Sequence, residues 1–487
     1  MYSRYDAGGP LGAPAFASDG AVSAAPSNRT RTPEADHMVK HPGVEKVALA
    51  YSGGLDTSVM IPWLTENYGC EVVAVVADVG QREDFEAIAA KALATGASEC
   101  RVIDLKDAFA RECIVPALKA GAIYERRYLL GTALARPVIA RAQVEVAIET
   151  GCDAVAHGCT GKGNDQVRFE LTYKALAPHL TIIAPWREWE IHSRDDAFDY
   201  AAARGIPVPG SRSKPYSIDR NLWHTSFEGG ILEDPGAAAP AELHDLTVDP
   251  IDAPDEPQDV VIGFDGGVPV RLDGEAFEPA DLIVRLNRIA GAHGVGWIDL
   301  VENRLVGMKS RGVYETPAGT VLLAALADLE AITLDRDTAA FKRGVGARYS
   351  ELVYQGLWYS PLRTALDAFL DEAHATVTGE VTIRLYKGHA TAVSRTSPYS
   401  LYREDLATFD EDQVYKHADA GGFIRLWGLP SGIAHRMRSS ARQTGSPAEG
   451  ETAGRGSADP APRERPPHEP TARHRTGGSR DTTPVRG

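Results

Sequence analysis

A chain of 487 residues is longer than one hydrophobic core usually serves, so two folded domains are expected. With 43% hydrophobic and 24% charged residues it has the balance of a soluble globular protein, and a formal charge of -16 excludes a chain that coats nucleic acid or anionic membrane through net charge. No apolar run approaches the roughly 20 residues that cross a bilayer, and the start MYSRYDAGGPLGAPAFASDG lacks the charged and apolar regions of a signal peptide.

Residues 1–42 are rich in Ala, Gly, Pro and Ser and are expected to form a disordered N-terminal tail; Met38 offers a second translation start within it. From residue 43, short β-rich runs alternate with helical patterns. VEKVALAY, CEVVAVVAD, ECRVIDL, DAVAHG and LTIIAPW read as buried strands, while VMIPWLTENY, FEAIAAKALAT, ARPVIARAQVEVAIETG and DQVRFELTYKAL carry helical spacing. Such alternation implies an α/β fold, a parallel-sheet nucleotide-binding domain over 43–210. The five cysteines, Cys70, Cys100, Cys113, Cys152 and Cys159, contain no CxxC pair and read as small core hydrophobes in a reducing cytosol.

The stretch IPVPGSRSKPYS at 206–217 is dense in Pro and Ser and marks a change of unit. A second, α+β domain is expected over 211–435. It opens on a strand pair, DVVIGFDGGVPVRL, with a Gly-Gly turn, continues with helices near 279–292 and 317–372, and ends in strands around VTIRLYKG. Beyond Met437 there is no Leu, Ile, aromatic residue or lysine, so 436–487 is expected to be a disordered, Arg-, Pro- and Gly-rich tail.

The chemistry concentrates where two strands turn into helices. AYSGGLDTS, Ala50 to Ser58, follows the first strand, which in an α/β sheet places it at the carboxyl edge where ligands bind. Gly53 and Gly54 remove side-chain bulk, so successive backbone N–H groups can surround an anion, and the positive end of the following helix adds to the pull on phosphate. A tight turn with an ordinary cap would use the same residue types, but the cluster of Ser52, Gly53, Gly54, Asp56, Thr57 and Ser58 behind a buried strand favours phosphate. The loop fits neither GxxxxGK[ST] nor GxGxxG. It resembles the pyrophosphate loop of the ATP-pyrophosphatase superfamily, whose members cleave ATP between the α and β phosphates.

A second cluster, HGCTGKGNDQVRFE, again follows a strand and opens a helix. Thr160, Lys162, Asn164, Asp165 and Arg168 offer a hydroxyl, an ammonium, an amide, a carboxylate and a guanidinium, a mixture suited to an amino-acid zwitterion. Together with ADVGQREDFEAIAAKALATGA, YLLGTALARP, PYSIDRNLWHTSFEGGILEDP, GWIDLVENRLVGMKSRGVYETPAGT and SPYSLY, these blocks resemble the argininosuccinate synthase family, in the family's order, over roughly residues 44–430.

The resemblance implies an enzyme that joins L-citrulline to L-aspartate with Mg2+ and ATP, releasing AMP and pyrophosphate. It implies that Ala50, Tyr51, Ser52, Gly53, Gly54, Leu55, Asp56, Thr57 and Ser58, with Ala77 and Gly158, hold ATP. Thr160, Asn164 and Asp165 would meet aspartate. Tyr128, Asn164, Arg168, Ser217, Ser226, Glu302 and Tyr314 would meet citrulline, with Glu302 taking the ammonium and Arg168 the carboxylate. No catalytic nucleophile, general base or protein ligand to magnesium is assigned. The family usually has serine where this chain has Ala133, and the hydroxyl of adjacent Thr132 is expected to leave the backbone in another direction. The resemblance further implies a cytoplasmic homotetramer with no nucleic-acid or membrane partner. Two rivals remain: a tRNA-modifying, thiolase-like ATP pyrophosphatase, because Cys152 and Cys159 flank the second strand motif, and a catalytically weak relative that acts as an interaction protein.

Overall fold

The computed structural model describes residues 43–207, 216–408 and 414–444. The expected tails at 1–42 and beyond 444, and the centre of the Pro/Ser-rich link, lie outside the described residues.

Five strands form one parallel sheet: β1 (Lys46–Ala50), β2 (Glu71–Asp78), β3 (Glu99–Asp104), β4 (Ala154–Ala156) and β5 (Thr181–Ile183), in the order β3-β2-β1-β4-β5. All five are the runs expected from sequence. Val47, Ala48 and Leu49 of β1 are fully buried, which is why this strand reads as a continuous apolar run without alternation. The chain moves outward from β1 to β2 and β3, then returns to place β4 on the other side of β1. That reversal opens a crevice at the carboxyl ends of β1 and β4, the place where ligands bind in doubly wound sheets.

Helix Gly131–Glu149 leads into β4 and carries two duties. Ala140, Val144 and Ala147 pack on the parallel sheet, whereas Ala133, Leu134 and Val138 belong to a larger core that continues into the C-terminal half. Gln143, fully buried on this helix, donates to the carbonyls of Ala48 (2.7 Å) and Ala156 (2.9 Å), pinning the helix across β1 and β4.

The C-terminal half supplies β6 (Ser217–Arg220), β7 (Thr225–Glu228), β8 (Gln258–Asp265), β9 (Val268–Leu272), β10 (Glu275–Ala276), β11 (Trp297–Asn303), β12 (Lys309–Glu315), β13 (Gly379–Tyr386) and β14 (His389–Thr396). They form two antiparallel sheets, β10-β9-β8-β13-β14 and β11-β12-β7-β6. The first contains the expected hairpin, whose Gly266 and Gly267 both take positive φ (55° and 78°), as a tight two-residue turn requires. The second was not recognised in the sequence, since its short strands interleave polar residues with apolar ones.

The helical stretch expected over 317–372 is divided into Pro317–Thr333, Arg336–Tyr354 and Pro361–His374. Asp335 caps the second by accepting from the N–H groups of Asp337 and Thr338 (3.0 and 3.1 Å). Gly356 at φ 75° and Pro361 at the next helix start make the second break. From Glu404 the described residues form a separate unit containing helices His417–Trp427 and Leu429–Thr444. The disordered tail expected from Arg436 thus begins inside a helix. Scarcity of apolar residues removed a reason to pack, but from Ile433 to Thr444 there is neither Gly nor Pro to stop a helix, and Gly445 follows its end.

Candidate active site

A cavity of about 610 Å³ opens at the carboxyl edge of the parallel sheet and is closed on its far side by the β6-β7-β12-β11 sheet. Of the residues expected to hold ATP, Ala50, Tyr51, Ser52, Gly54, Leu55, Asp56 and Thr57 line it, as do Ala77 and Gly158. Gly53 and Ser58 support the loop from behind. Gly53 has φ 72° and is buried, and its carbonyl accepts from Lys91 Nζ at 2.6 Å. Ser58 is fully buried and turns its hydroxyl back onto the Gly54 carbonyl (2.7 Å).

Gly54 is the N-cap of helix Leu55–Tyr68 and no side chain caps it, so the first N–H groups of that helix have no capping side chain to satisfy them. The Ser52 hydroxyl meets Thr57 Oγ1 at 3.1 Å and fixes the loop's curvature. A Cβ on Gly158 would stand 2.9 Å from Thr57 Cγ2, so glycine at the end of β4 lets the two strand ends close on each other. Burial raises the pKa of Asp56 against the opposing pull of Arg194.

The second loop puts Thr160, Asn164, Asp165 and Arg168 on the cavity wall. His157 beneath it is buried; its Nδ1 accepts the Cys159 N–H (3.2 Å), which leaves Nε2–H to donate to Glu170 (3.2 Å) and sets the turn. Asn164 donates to the Tyr354 hydroxyl (2.8 Å) and accepts from the Leu305 N–H (2.9 Å), tying the loop to the C-terminal half. Asp165 and Arg168, assigned from sequence to two different substrates, pair with each other: Arg168 Nη1 reaches Asp165 Oδ1 at 2.8 Å, and Arg136 Nε reaches Oδ2 at 2.9 Å. Burial pushes the Asp165 pKa up, but the two guanidiniums outweigh it and hold the carboxyl below its usual range. Each oxygen keeps a lone pair for an incoming ammonium.

The citrulline-assigned residues of the C-terminal half share one sheet face, by strand register. Tyr314 pairs with Ser226, and Ser226 with Asp219; Gly312 pairs with Glu228, and Glu228 with Ser217. Glu302, opposite Ser310, has the same parity, so Ser217, Ser226, Glu302 and Tyr314 all point to the cavity they line. Gly312 is required there, because a Cβ would lie 2.9 Å from the Tyr314 ring. Tyr128 completes the wall, its ring 4.7 Å from that of Tyr314. Glu302 is 4% exposed, its Oε2 has no partner among the described residues, and burial, opposed by Arg168 and aided by Glu228, lifts its pKa to about 7. A buried carboxylate oxygen without a partner, on a residue that lines a cavity, is suited to an ammonium from outside.

Sequence reasoning missed Arg136, Asp219, Arg304 and Glu228, which also line the cavity. Arg136 bridges Asp165 to Asp219, and Arg304 pairs with Glu228 at 2.6 Å. Asp219 and Glu228 were hidden because neither of their short strands had been recognised, whereas Arg136 sits on a recognised helix and Arg304 just past β11, where no motif set them apart. Ala133 is fully buried in the core, whereas Thr132 lines the cavity, so the two side chains do leave the backbone in different directions and it is Thr132 that faces the cavity.

A parallel α/β domain whose capless glycine loop and second helix-opening loop face one polar cavity, with an antiparallel second half on the other side of it, defines an α/β protein of the nucleotide-binding class. The family models agree with both halves: the "Arginosuccinate synthase N-terminal HUP domain" matches residues 46–207 and the "Arginosuccinate synthase C-terminal domain" matches 216–434. The chain belongs to the argininosuccinate synthase family. It is 60% identical to the argininosuccinate synthase of Carboxydothermus hydrogenoformans over 386 residues, 79% of this chain and 96% of that protein. It is also 60% identical to that of Pelotomaculum thermopropionicum over 396 residues, 81% of this chain and 99% of that one. The chloroplastic argininosuccinate synthase of Arabidopsis thaliana is 56% identical over 396 residues, 81% of this chain and 80% of that one. The solved U34-tRNA thiolase NcsA from Methanococcus maripaludis, with its [4Fe-4S] cluster, covers 35% of this chain and 60% of its own at 19% identity and a TM-score of 0.24, too low to carry the thiolase reading.

Proposed function

We propose that this protein joins L-citrulline to L-aspartate at the expense of ATP. The ureido oxygen of citrulline attacks the α phosphate, pyrophosphate leaves, and citrullyl-AMP forms. The aspartate amine then attacks the ureido carbon, AMP departs with the oxygen, and the amine proton is lost as the guanidino C–N bond of argininosuccinate forms. The single observation that carries this reading is convergence: the loop after β1, the loop after β4 and the face holding Glu302, Ser226 and Tyr314 line one cavity. The 50–58 loop holds ATP through fixed backbone donors, which stabilise charge on departing pyrophosphate without reorganising. Holding three charged substrates in line supplies the remaining acceleration. Glu302 receives the citrulline ammonium, and Arg168 its carboxylate. Thr160, Asn164 and Asp165 receive aspartate.

Magnesium would enter with ATP and would offset the negative charge of the phosphates held by the 50–58 loop. Among the described residues no group of three or more His, Cys, Asp or Glu side chains forms a metal cage, and a cation brought in on ATP needs none. A homotetramer is supported by Phe423, Leu426, Trp427 and Met437, large apolar side chains left exposed on the C-terminal helices. Five free cysteines support a cytoplasmic setting. Among the described residues no helix is long and apolar enough to cross a membrane.

The test is pyrophosphate release with each substrate omitted in turn, together with citrulline labelled at the ureido oxygen. The label is expected in AMP, and release is expected to need citrulline. Release triggered by tRNA alone would overturn the reading.

A further inference from the structure

The start of helix Gly131–Glu149 is built around a histidine that the proposed chemistry leaves without a task. His224 is fully buried, and its ring lies flat on the backbone of Gly131, where a Cβ would come within 2.2 Å of Cγ. Asn221 locks the arrangement: its Nδ2 donates to the Gly131 carbonyl (3.1 Å) and its Oδ1 accepts the His224 N–H (3.1 Å). The imidazole Nε2 meets Thr132 Oγ1 at 3.0 Å, while Nδ1 has no partner among the described residues.

Burial lowers the His224 pKa to about 4, with Asp219 and Asp165 pulling it up and Arg136 pulling it down, so the ring is neutral near pH 7. A neutral ring carries one N–H. Placed on Nδ1, it would be a buried donor with no acceptor; placed on Nε2, it donates to Thr132 and leaves only a lone pair unmet. Thr132 Oγ1 therefore receives a hydrogen bond, and its own O–H is free to turn toward the cavity it lines. Four residues earlier the same logic repeats. The Tyr128 hydroxyl accepts the Thr132 backbone N–H at 3.2 Å, so its proton too is available to the cavity.

We propose that Thr132 joins Tyr128, already read as a citrulline contact, in donating a hydroxyl hydrogen bond to one carbonyl-type oxygen of citrulline, and that His224 is the positioning residue that holds Thr132 in that role. The inference rests on the citrulline reading given above. Carboxylate and ureido oxygens share the acceptor chemistry, and the test separates them.

The experiment uses the full chain and steady-state pyrophosphate release. T132V, which keeps the shape and removes the hydroxyl, is expected to raise the citrulline KM about tenfold, the scale of one lost hydrogen bond to a charged or strongly polar group, and to leave the ATP KM unchanged. T132S is expected to restore it. H224L is expected to match T132V, the double variant to be no worse than either, and H224Q, which keeps an N–H near the Nε2 position, to recover most of the loss. L-norvaline, which has the carboxylate and ammonium but no ureido group, serves as inhibitor: a parallel loss of its affinity in T132V assigns the carboxylate, and an unchanged affinity assigns the ureido oxygen. A citrulline KM in T132V within twofold of the unsubstituted chain would overturn the proposal even if H224L fails to fold. Absence of citrulline-dependent pyrophosphate release in the unsubstituted chain would instead sink the function on which it rests.

Discussion

Glu302 is buried with one oxygen that has no partner among the described residues, and its carboxyl is lifted to about 7, so it is largely protonated in the empty protein at pH 6. An ammonium binds the carboxylate form, and citrulline affinity is therefore expected to fall as pH drops below 7; calorimetric titrations at pH 6 and pH 8 check it. The stability sign runs the other way. A carboxyl whose folded pKa is raised binds more protons when folded, so between about 4.5 and 7 stability decreases with rising pH, by on the order of 3 kcal/mol when the penalty is complete. E302Q removes that penalty: it is expected to abolish citrulline binding yet raise the melting temperature at pH 8 and not at pH 4. Gly158 makes the complementary case for a residue defined by what it lacks. G158A drives a methyl to 2.9 Å from Thr57 Cγ2 and is expected to raise the ATP KM at least tenfold, read by nucleotide titration, with little change in citrulline affinity. Motif context placed both residues at one site, and both line the cavity, but the burial of one and the close approach at the other were not legible, because they are properties of the assembled sheets.

Among the elements, the parallel strands and the helices that follow them were readable because burial on both faces leaves β1 and β2 as near-unbroken apolar runs. The β6-β7-β12-β11 sheet was not, since its cavity face is lined by Ser217, Asp219, Ser226, Glu228 and Glu302, polar residues where a strand's core face usually shows Val or Leu. Polar side chains turned to a cavity had replaced the apolar alternation that announces a strand. Lys91 was missed for a related reason. Its segment showed only helical spacing, and only the fold brings its ammonium to the Gly53 carbonyl at 2.6 Å. K91M is expected to loosen the 50–58 loop, raising the ATP KM several-fold while the citrulline Kd in the absence of nucleotide stays the same; comparing the two titrations is the check. In helix Gly131–Glu149, Leu134 is 1% exposed at the seam between halves, and L134A is expected to cost about 2–5 kcal/mol by denaturant unfolding.

For the molecule as a whole, two predictions concern the ends of the chain. Removing 1–42 and 445–487 is expected to leave turnover within about twofold, because every cavity-lining residue lies between Ala50 and Tyr314. Ending the chain at Arg403, by contrast, is expected to lower the mass measured by light scattering, since the exposed apolar side chains of the last helices go with it. Chelating divalent cations is expected to stop pyrophosphate release and to leave the melting temperature of the ligand-free protein unchanged, as a cation carried on the nucleotide would require. The shared core has a further consequence. Phe109, Leu118, Leu130 and Leu134, which precede β4 in the chain, are packed with Val260, Leu286 and Leu322, which follow the link at 208–215. A gene split at that link would yield two fragments, each with a bare greasy flank made to fit the other. Co-expression should let them complement, whereas either piece produced by itself should collect in inclusion bodies.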